Sequence, residues 1–214
     1  MNARWAVPGV LRHDRSAVPE HRSFLVVDTV GSGRWDDPTR LRACALVREV
    51  VRAAFRAAGV AWWRLAVEDR GDGLIVLAPP SVSKVDLIDP VLPRLAEGLR
   101  RHNASTDPAA RVRLRVAVHA GEVIRTAFGW VGADLNRVCR LVDGAPLRRE
   151  LDRRPDADLA LVVSDVIHDG VVRHGYRRID PTRYTPVRVV LKELDARAWL
   201  HVPEPRPLDG RPAD

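Results

Sequence analysis

Residues 24–28 (Phe-Leu-Val-Val-Asp) form a short apolar run ending in a carboxylate, the pattern of a buried strand. The turn Gly31-Ser32-Gly33 follows, and Pro38 is placed to open a helix running to about Ala58. Leu41, Cys44, Val47, Val51 and Phe55 recur at helical spacing as its buried stripe, and Arg48, Arg52 and Arg56 form a second, solvent-facing row. Gly59 ends this helix. Residues 63–68 alternate and 73–78 are almost continuously apolar, so Asp69-Arg70-Gly71-Asp72 between them closes a hairpin. Asp89-Pro90 reads as a helix start, with Val91, Leu92, Leu95 and Leu99 on its buried face, and residues 111–120 alternate as a further strand.

The order β-α-β-β-α-β predicts an α+β fold with a ferredoxin-like core. Additional C-terminal α/β elements follow: a helix from Asp134 to about Leu147, a strand at 159–163, a helix capped at Ser164 or Asp165, and strands at 187–191 and 198–201. No internal repeat or long linker interrupts them, so one domain over 23–202 is expected. Residues 1–22 mix Arg, Pro and His without periodicity and read as a flexible lead-in, and the Pro-rich 203–214 reads as a disordered tail.

This topology brings distant residues together. A crossover helix makes the first two strands parallel, and the third inserts between them, antiparallel to both. Asp28 at the end of the first strand and Asp72 at the start of the third therefore converge on one edge of the sheet. Taken singly, Asp28 caps a turn and Gly71-Asp72-Gly73 closes a hairpin. Together they are paired hard oxygen donors of the kind that hold Mg²⁺ or Mn²⁺ against a triphosphate. Gly31, Ser32 and Gly33 directly after Asp28 would let backbone N–H groups approach phosphate oxygens.

Composition narrows the classes. At 214 residues, 46% hydrophobic and 29% charged, the chain is apolar enough for a real core. No window approaches the ~18 uninterrupted apolar residues of a membrane span, and residues 1–15 lack a signal-peptide core. Neither of the two cysteines, Cys44 and Cys139, fits a disulfide framework; both read as buried thiols of a cytoplasmic protein. The formal charge is +7, and every basic residue except Lys84 and Lys192 is arginine. These arginines are spread along the chain without a basic block, which disfavours nucleic acid as a partner. Trp62 and Trp63 lead into a strand and read as core residues.

Four stretches, in order, are similar to the class III nucleotidyl cyclases, the adenylate and guanylate cyclase catalytic domain. They are Phe24-x-x-x-Asp28-x-x-Gly31, Gly71-Asp72 on the hairpin, Arg115-Val-Ala-Val-His119-Ala-Gly121, and Gly132-Ala-Asp-Leu-Asn136-Arg-Val-Cys-Arg140. A weaker match at Val190-Leu191-Lys192 extends the likeness over roughly residues 22–202. The resemblance implies that Asp28 and Asp72 bind two divalent ions (Mg²⁺ or Mn²⁺) on a nucleoside triphosphate. It implies that Arg140 stabilises charge on the transferred phosphoryl group and that Asn136 positions the ribose. In this family the aspartates and the Asn/Arg pair of one site come from different subunits, so a homodimer with composite sites is implied.

By the same likeness, Glu68 and Gly129 occupy the base-reading positions. Glu68 leans towards GTP, since a carboxylate accepts from guanine N1–H and its 2-amino group; Arg70 or Arg115 are alternative partners for it. Gly129 departs from the family's Asp, Thr or Cys, Ala117 stands where the strand motif has Gly, and residues 142–158 are longer and more charged than usual. The expected reaction is conversion of an NTP to a 3′,5′-cyclic NMP and pyrophosphate. A non-catalytic cyclase-like module binding nucleotide or protein, or a pyrimidine cyclase of antiviral defence, are the alternatives.

Overall fold

A computed structural model describes residues 18–107 and 110–204. Strand β1 (Glu20–Thr29) is followed by helix α1 (Asp37–Ala57), the hairpin β2 (Ala66–Asp69) and β3 (Gly73–Ala78), a short turn of helix α2 (Lys84–Asp86), and α3 (Leu92–Ala104). The long β4 (Leu114–Thr126) then folds back on β5 (Gly129–Val131), and α4 (Ala133–Val142), α5 (Ala145–Arg153), β6 (Leu159–Ser164) and α6 (Asp165–Gly170) follow. A second hairpin, β7 (Thr185–Leu191) and β8 (Leu194–His201), is the last of the described elements. The lead-in and tail expected at 1–22 and 203–214 lie mostly outside the described residues, although Glu20, His21 and Arg22 belong to β1.

The strands form one mixed sheet in the order β2-β3-β1-β4-β6-β8-β7, with β5 paired to β4 alone. The pairs β2–β3, β3–β1 and β1–β4 are all antiparallel, the arrangement expected of a split β-α-β core, and β4 pairs with β6 in parallel. The fold is therefore α+β with a ferredoxin-like core and C-terminal additions. Both sheet faces are covered, which is why β3 and β6 are buried at every position and read as apolar runs rather than alternating ones. On one face α1 and α3 pack over Leu25, Val27, Val76 and Val116; on the other α4 and α5 pack over Phe24, Val26, Ala117 and Val162. No helix among the described residues is long and apolar enough to cross a membrane.

Several sequence expectations change. The buried stripe of α1 is Ala43, Val47, Val51, Ala54 and Phe55, whereas Leu41 is 72% exposed, because at ~100° per residue it falls beyond the edge of that stripe. Arg48, Arg52 and Arg56 face solvent as expected. Trp62 packs edge-on against Phe55, which leaves Trp63 on the outer side of the same turn, 84% exposed. Asp89 is no cap: it is 4% exposed and bound by the Arg178 guanidinium at 3.1 Å. The expected helix 134–147 is two helices, since Gly144 ends α4 with an N–H bond to Leu141 and Pro146 suits the first turn of α5 but not a helix interior. Cys44 and Cys139 are half-buried rather than buried.

The β1–β3 contact is unusually close at Gly73. A Cβ there would lie 2.2 Å from the Val27 carbonyl oxygen, which is backbone and cannot yield. Gly73→Ala is expected to destabilise the fold by about 3 kcal/mol, read as a lowered midpoint in chemical denaturation.

Candidate functional site

The register places Asp28 of β1 directly opposite Gly73 of β3 and Arg115 of β4. Asp72, one residue before Gly73, thus stands beside Asp28, as the topology predicts. The turn that carries it is tied down twice: the Thr29 N–H donates to the Asp72 carbonyl at 3.1 Å, and the Ser32 hydroxyl donates to Asp72 Oδ2 at 2.7 Å. Gly31 adopts φ +79°, a left-handed turn that glycine takes without strain, and this turns the chain so that buried Ser32 reaches Asp72. Gly33 is exposed at the tip of the same loop, with open space where a side chain would be.

Arg115, which the sequence offers as part of the strand motif and as a possible partner for Glu68, binds Asp28 instead. Its Nε donates to Asp28 Oδ2 at 2.9 Å and a terminal nitrogen contacts the same oxygen, while Asp143 at the end of α4 lies 4.0 Å away. The Asp28 carboxyl is held above the usual carboxylate range chiefly by burial; Arg115 opposes this, and the nearby Asp72 and Asp143 charges add to it. The signal for this pair was available in principle, since Asp28 and Arg115 face each other across adjacent strands once the register is known.

Glu68 and Gly129 also come together. The Trp130 N–H donates to Glu68 Oε1 at 3.2 Å, and Arg70 lies 3.4 Å from Oε2. Gly129 has φ +128°, and a Cβ on it would sit 2.9 Å from Glu68 Oε1. The glycine that departs from the family pattern is thus the residue over which the Glu68 carboxylate lies. A side chain there would be strained and would push Glu68 away.

Asn136 and Arg140 lie one helical turn apart on α4, and Asn136 is exposed. Arg140 is paired with Glu193, the second residue of the Lys192-Glu193 turn between β7 and β8, at 2.6 Å. Within one protomer the expected site residues thus form a carboxylate group (Asp28, Asp72, with Ser32 and Arg115), a Glu68–Gly129 pair, and the α4 pair.

Among the described residues no group of three or more His, Cys, Asp or Glu side chains is arranged to hold a metal ion. Asp28 and Asp72 supply two hard oxygen donors whose charges repel each other. That set suits Mg²⁺ or Mn²⁺, with remaining ligands from substrate phosphates and water, and does not suit a closed structural zinc site.

No family model and no curated relative matches the chain. Solved structures do. An adenylate/guanylate cyclase/hydrolase from Silicibacter pomeroyi superposes with a TM-score of 0.64 at 17% identity, over 88% of this chain and 99% of that one. The guanylyl cyclase Cya2 gives 0.61 at 14% identity, over 88% and 96% of the two chains. The guanylate cyclase domain of RhGC from Catenaria anguillulae, solved with GTP, gives 0.55 at 12% identity, over 86% and 98%. The chain has the fold of an adenylate/guanylate cyclase catalytic domain.

Proposed function

We propose that this chain is a nucleotidyl cyclase that converts an NTP to a 3′,5′-cyclic NMP and pyrophosphate. The observation that carries this reading is the convergence of Asp28 and Asp72 on one sheet edge in a chain with the cyclase fold that also retains Asn136 and Arg140. In the reaction the ribose 3′-oxygen bonds to the α-phosphorus as the bond to the bridging oxygen of pyrophosphate breaks, and the hydroxyl proton leaves to solvent.

Asp28 and Asp72 would hold two divalent ions, which supply activation of the 3′-hydroxyl and neutralise the departing pyrophosphate. The loop Gly31, Ser32, Gly33 borders the phosphates, with Ser32 acting mainly by orienting Asp72. Arg140 stabilises charge developing on the transferred phosphoryl oxygens, a task suited to a permanently charged, planar guanidinium. Asn136 positions the ribose. Glu68 accepts hydrogen bonds from the base, and its anchoring by Trp130 N–H favours a base that offers paired donors, as guanine does.

Two copies would complete each site, the aspartates from one and the α4 residues from the other. Support comes from apolar side chains left on the surface: Phe128 at the tip of the β4–β5 arm is fully exposed, and Val131 and Leu41 are more than half exposed.

Arg140 must leave Glu193 to meet substrate. Glu193 is 75% exposed, so the pair is weak, and Glu193→Gln is expected to raise kcat/KM for NTP about twofold, chiefly through kcat, as read in initial-rate kinetics.

The test of the reading is a thermal shift with Mn²⁺ and each of ATP, GTP, CTP and UTP, followed by pyrophosphate release with the same four. A metal-dependent shift with release, strongest for GTP, is the expected result. A shift without release identifies the binding module instead, and release from CTP or UTP alone identifies the pyrimidine cyclase.

A further inference from the structure

A buried polar thread crosses the sheet behind α4, and the mechanism above does not use it. His119 in β4 is 2% exposed and its ring lies over Phe24 of β1, centroids 6.0 Å apart. Its Nδ1 is 2.7 Å from the Ser164 hydroxyl at the end of β6, and its Nε2 is 3.2 Å from Asp134 Oδ1 in the first turn of α4. The other Asp134 oxygen accepts the Glu122 N–H at 2.8 Å.

Hydrogen-bonding capacity assigns the protons. Asp134 is a carboxylate that can only accept, so His119 Nε2 carries the proton and donates to it. The Nδ1 of the buried, neutral ring then accepts from the Ser164 O–H, whose oxygen also accepts the Ile167 N–H as the cap of α6. Gly121 belongs to the same device: a Cβ there would lie 2.1 Å from Asp134 Oδ2, so only glycine admits the carboxylate. The His-x-Gly of the β4 motif thereby acquires a joint purpose, both residues serving Asp134.

The three side chains match a nucleophilic Ser-His-Asp set in type but not in access. Ser164 is 4% exposed and caps a helix, so no substrate carbonyl or phosphorus can reach its oxygen. The thread instead joins β6 and β4 to the start of the helix that carries Asn136 and Arg140. Half-satisfied buried networks are costly, so its members hold one arrangement.

We infer that Ser164, His119 and Asp134 are positioning residues, which seat the first turn of α4 and so set where Asn136 and Arg140 meet the substrate. The inference rests on the cyclase reading. Asp134 acts through the helix and touches no substrate, so its loss lowers turnover rather than nucleotide affinity. Outer-shell partners of this kind change activity by ~10–100-fold, in keeping with the sensitivity of transfer reactions to displacements near 1 Å.

The decisive variant is Asp134→Asn, which keeps size but cannot accept both the Glu122 N–H and the His119 N–H. It is compared with Asn136→Ala and the double variant in full-length chain with Mn²⁺ and the preferred NTP. The expected result is a kcat lowered ~10–100-fold by Asp134→Asn with KM changed less than ~3-fold. The double variant should fall at least ~3-fold short of the product of the two single losses, because the part of the Asp134 effect that acts through Asn136 is already gone while the part that acts through Arg140 remains. Circular dichroism and thermal unfolding give the folded fraction for each chain. A kcat that is unchanged, that merely follows the folded fraction, or whose losses multiply in the double variant overturns the inference. A folded wild-type chain without product overturns the cyclase reading and this inference with it; an active wild type with multiplying losses overturns the inference alone.

Discussion

Asp72→Ala is expected to lower cyclic nucleotide formation about 10³-fold while leaving the fold intact. The side chain contributes little to folding: Asp72 is partly exposed, and the bond its residue gives the sheet edge comes from its main-chain carbonyl, which alanine retains. Its carboxylate has two partners of consequence, the Ser32 hydroxyl and the Asp28 charge beside it. Removing it leaves one hard donor where the proposed chemistry requires two. The loss should appear in kcat and in the Mn²⁺ dependence of the thermal shift. Near-native activity in Asp72→Ala would remove the carboxylate pair from the mechanism.

Arg140→Ala is expected to be as damaging, about 10³-fold, because no other guanidinium on α4 shares its place one turn from Asn136. It also allows a test of the composite sites. A chain carrying Asp28→Ala and a chain carrying Arg140→Ala should each be inactive alone. After unfolding together and refolding, half of the dimers are mixed, and each has one site with both groups intact. Activity should return to about a quarter of wild type. No recovery in mixed dimers verified by differential tags would contradict sites shared between copies.

The site was readable to the extent that it follows from topology. The meeting of Asp28 and Asp72 required only the order of elements and the antiparallel insertion of β3, both encoded in local patterning, and the register Asp28–Gly73 matches it. Contacts set by tertiary packing were not readable. Arg115 reaches Asp28 across 87 residues of chain and Asn103 binds Asp158 across 55, and neither pair has a local signature. Glu193 on Arg140 depends on how the β7–β8 turn folds over α4. Gly129, a departure when read alone, makes sense only beside Glu68, because the space it leaves is filled from a strand sixty residues earlier.

The helix faces show where periodicity misleads. Leu41 shares helical spacing with Cys44, yet the stripe that α1 buries is centred further round the helix, on Ala43, Val47, Val51 and Ala54. Trp62 and Trp63 are chemically alike, but successive residues in a turn point apart, so only one can reach Phe55. Asp89 followed by proline has the form of a helix start; its burial against Arg178 comes from a loop ninety residues away. Short-range rules hold in α4 and α5, where Gly144 and Pro146 mark the break once both are weighed.

Cyclase activity is tested most directly by the mass of the product that the purified wild-type chain forms with Mn²⁺ from each of the four NTPs, GTP foremost. The expected product is a 3′,5′-cyclic monophosphate with an equal amount of pyrophosphate. A folded dimer that binds Mn²⁺ and nucleotide yet returns every triphosphate unchanged, or yields only linear products, is not a cyclase.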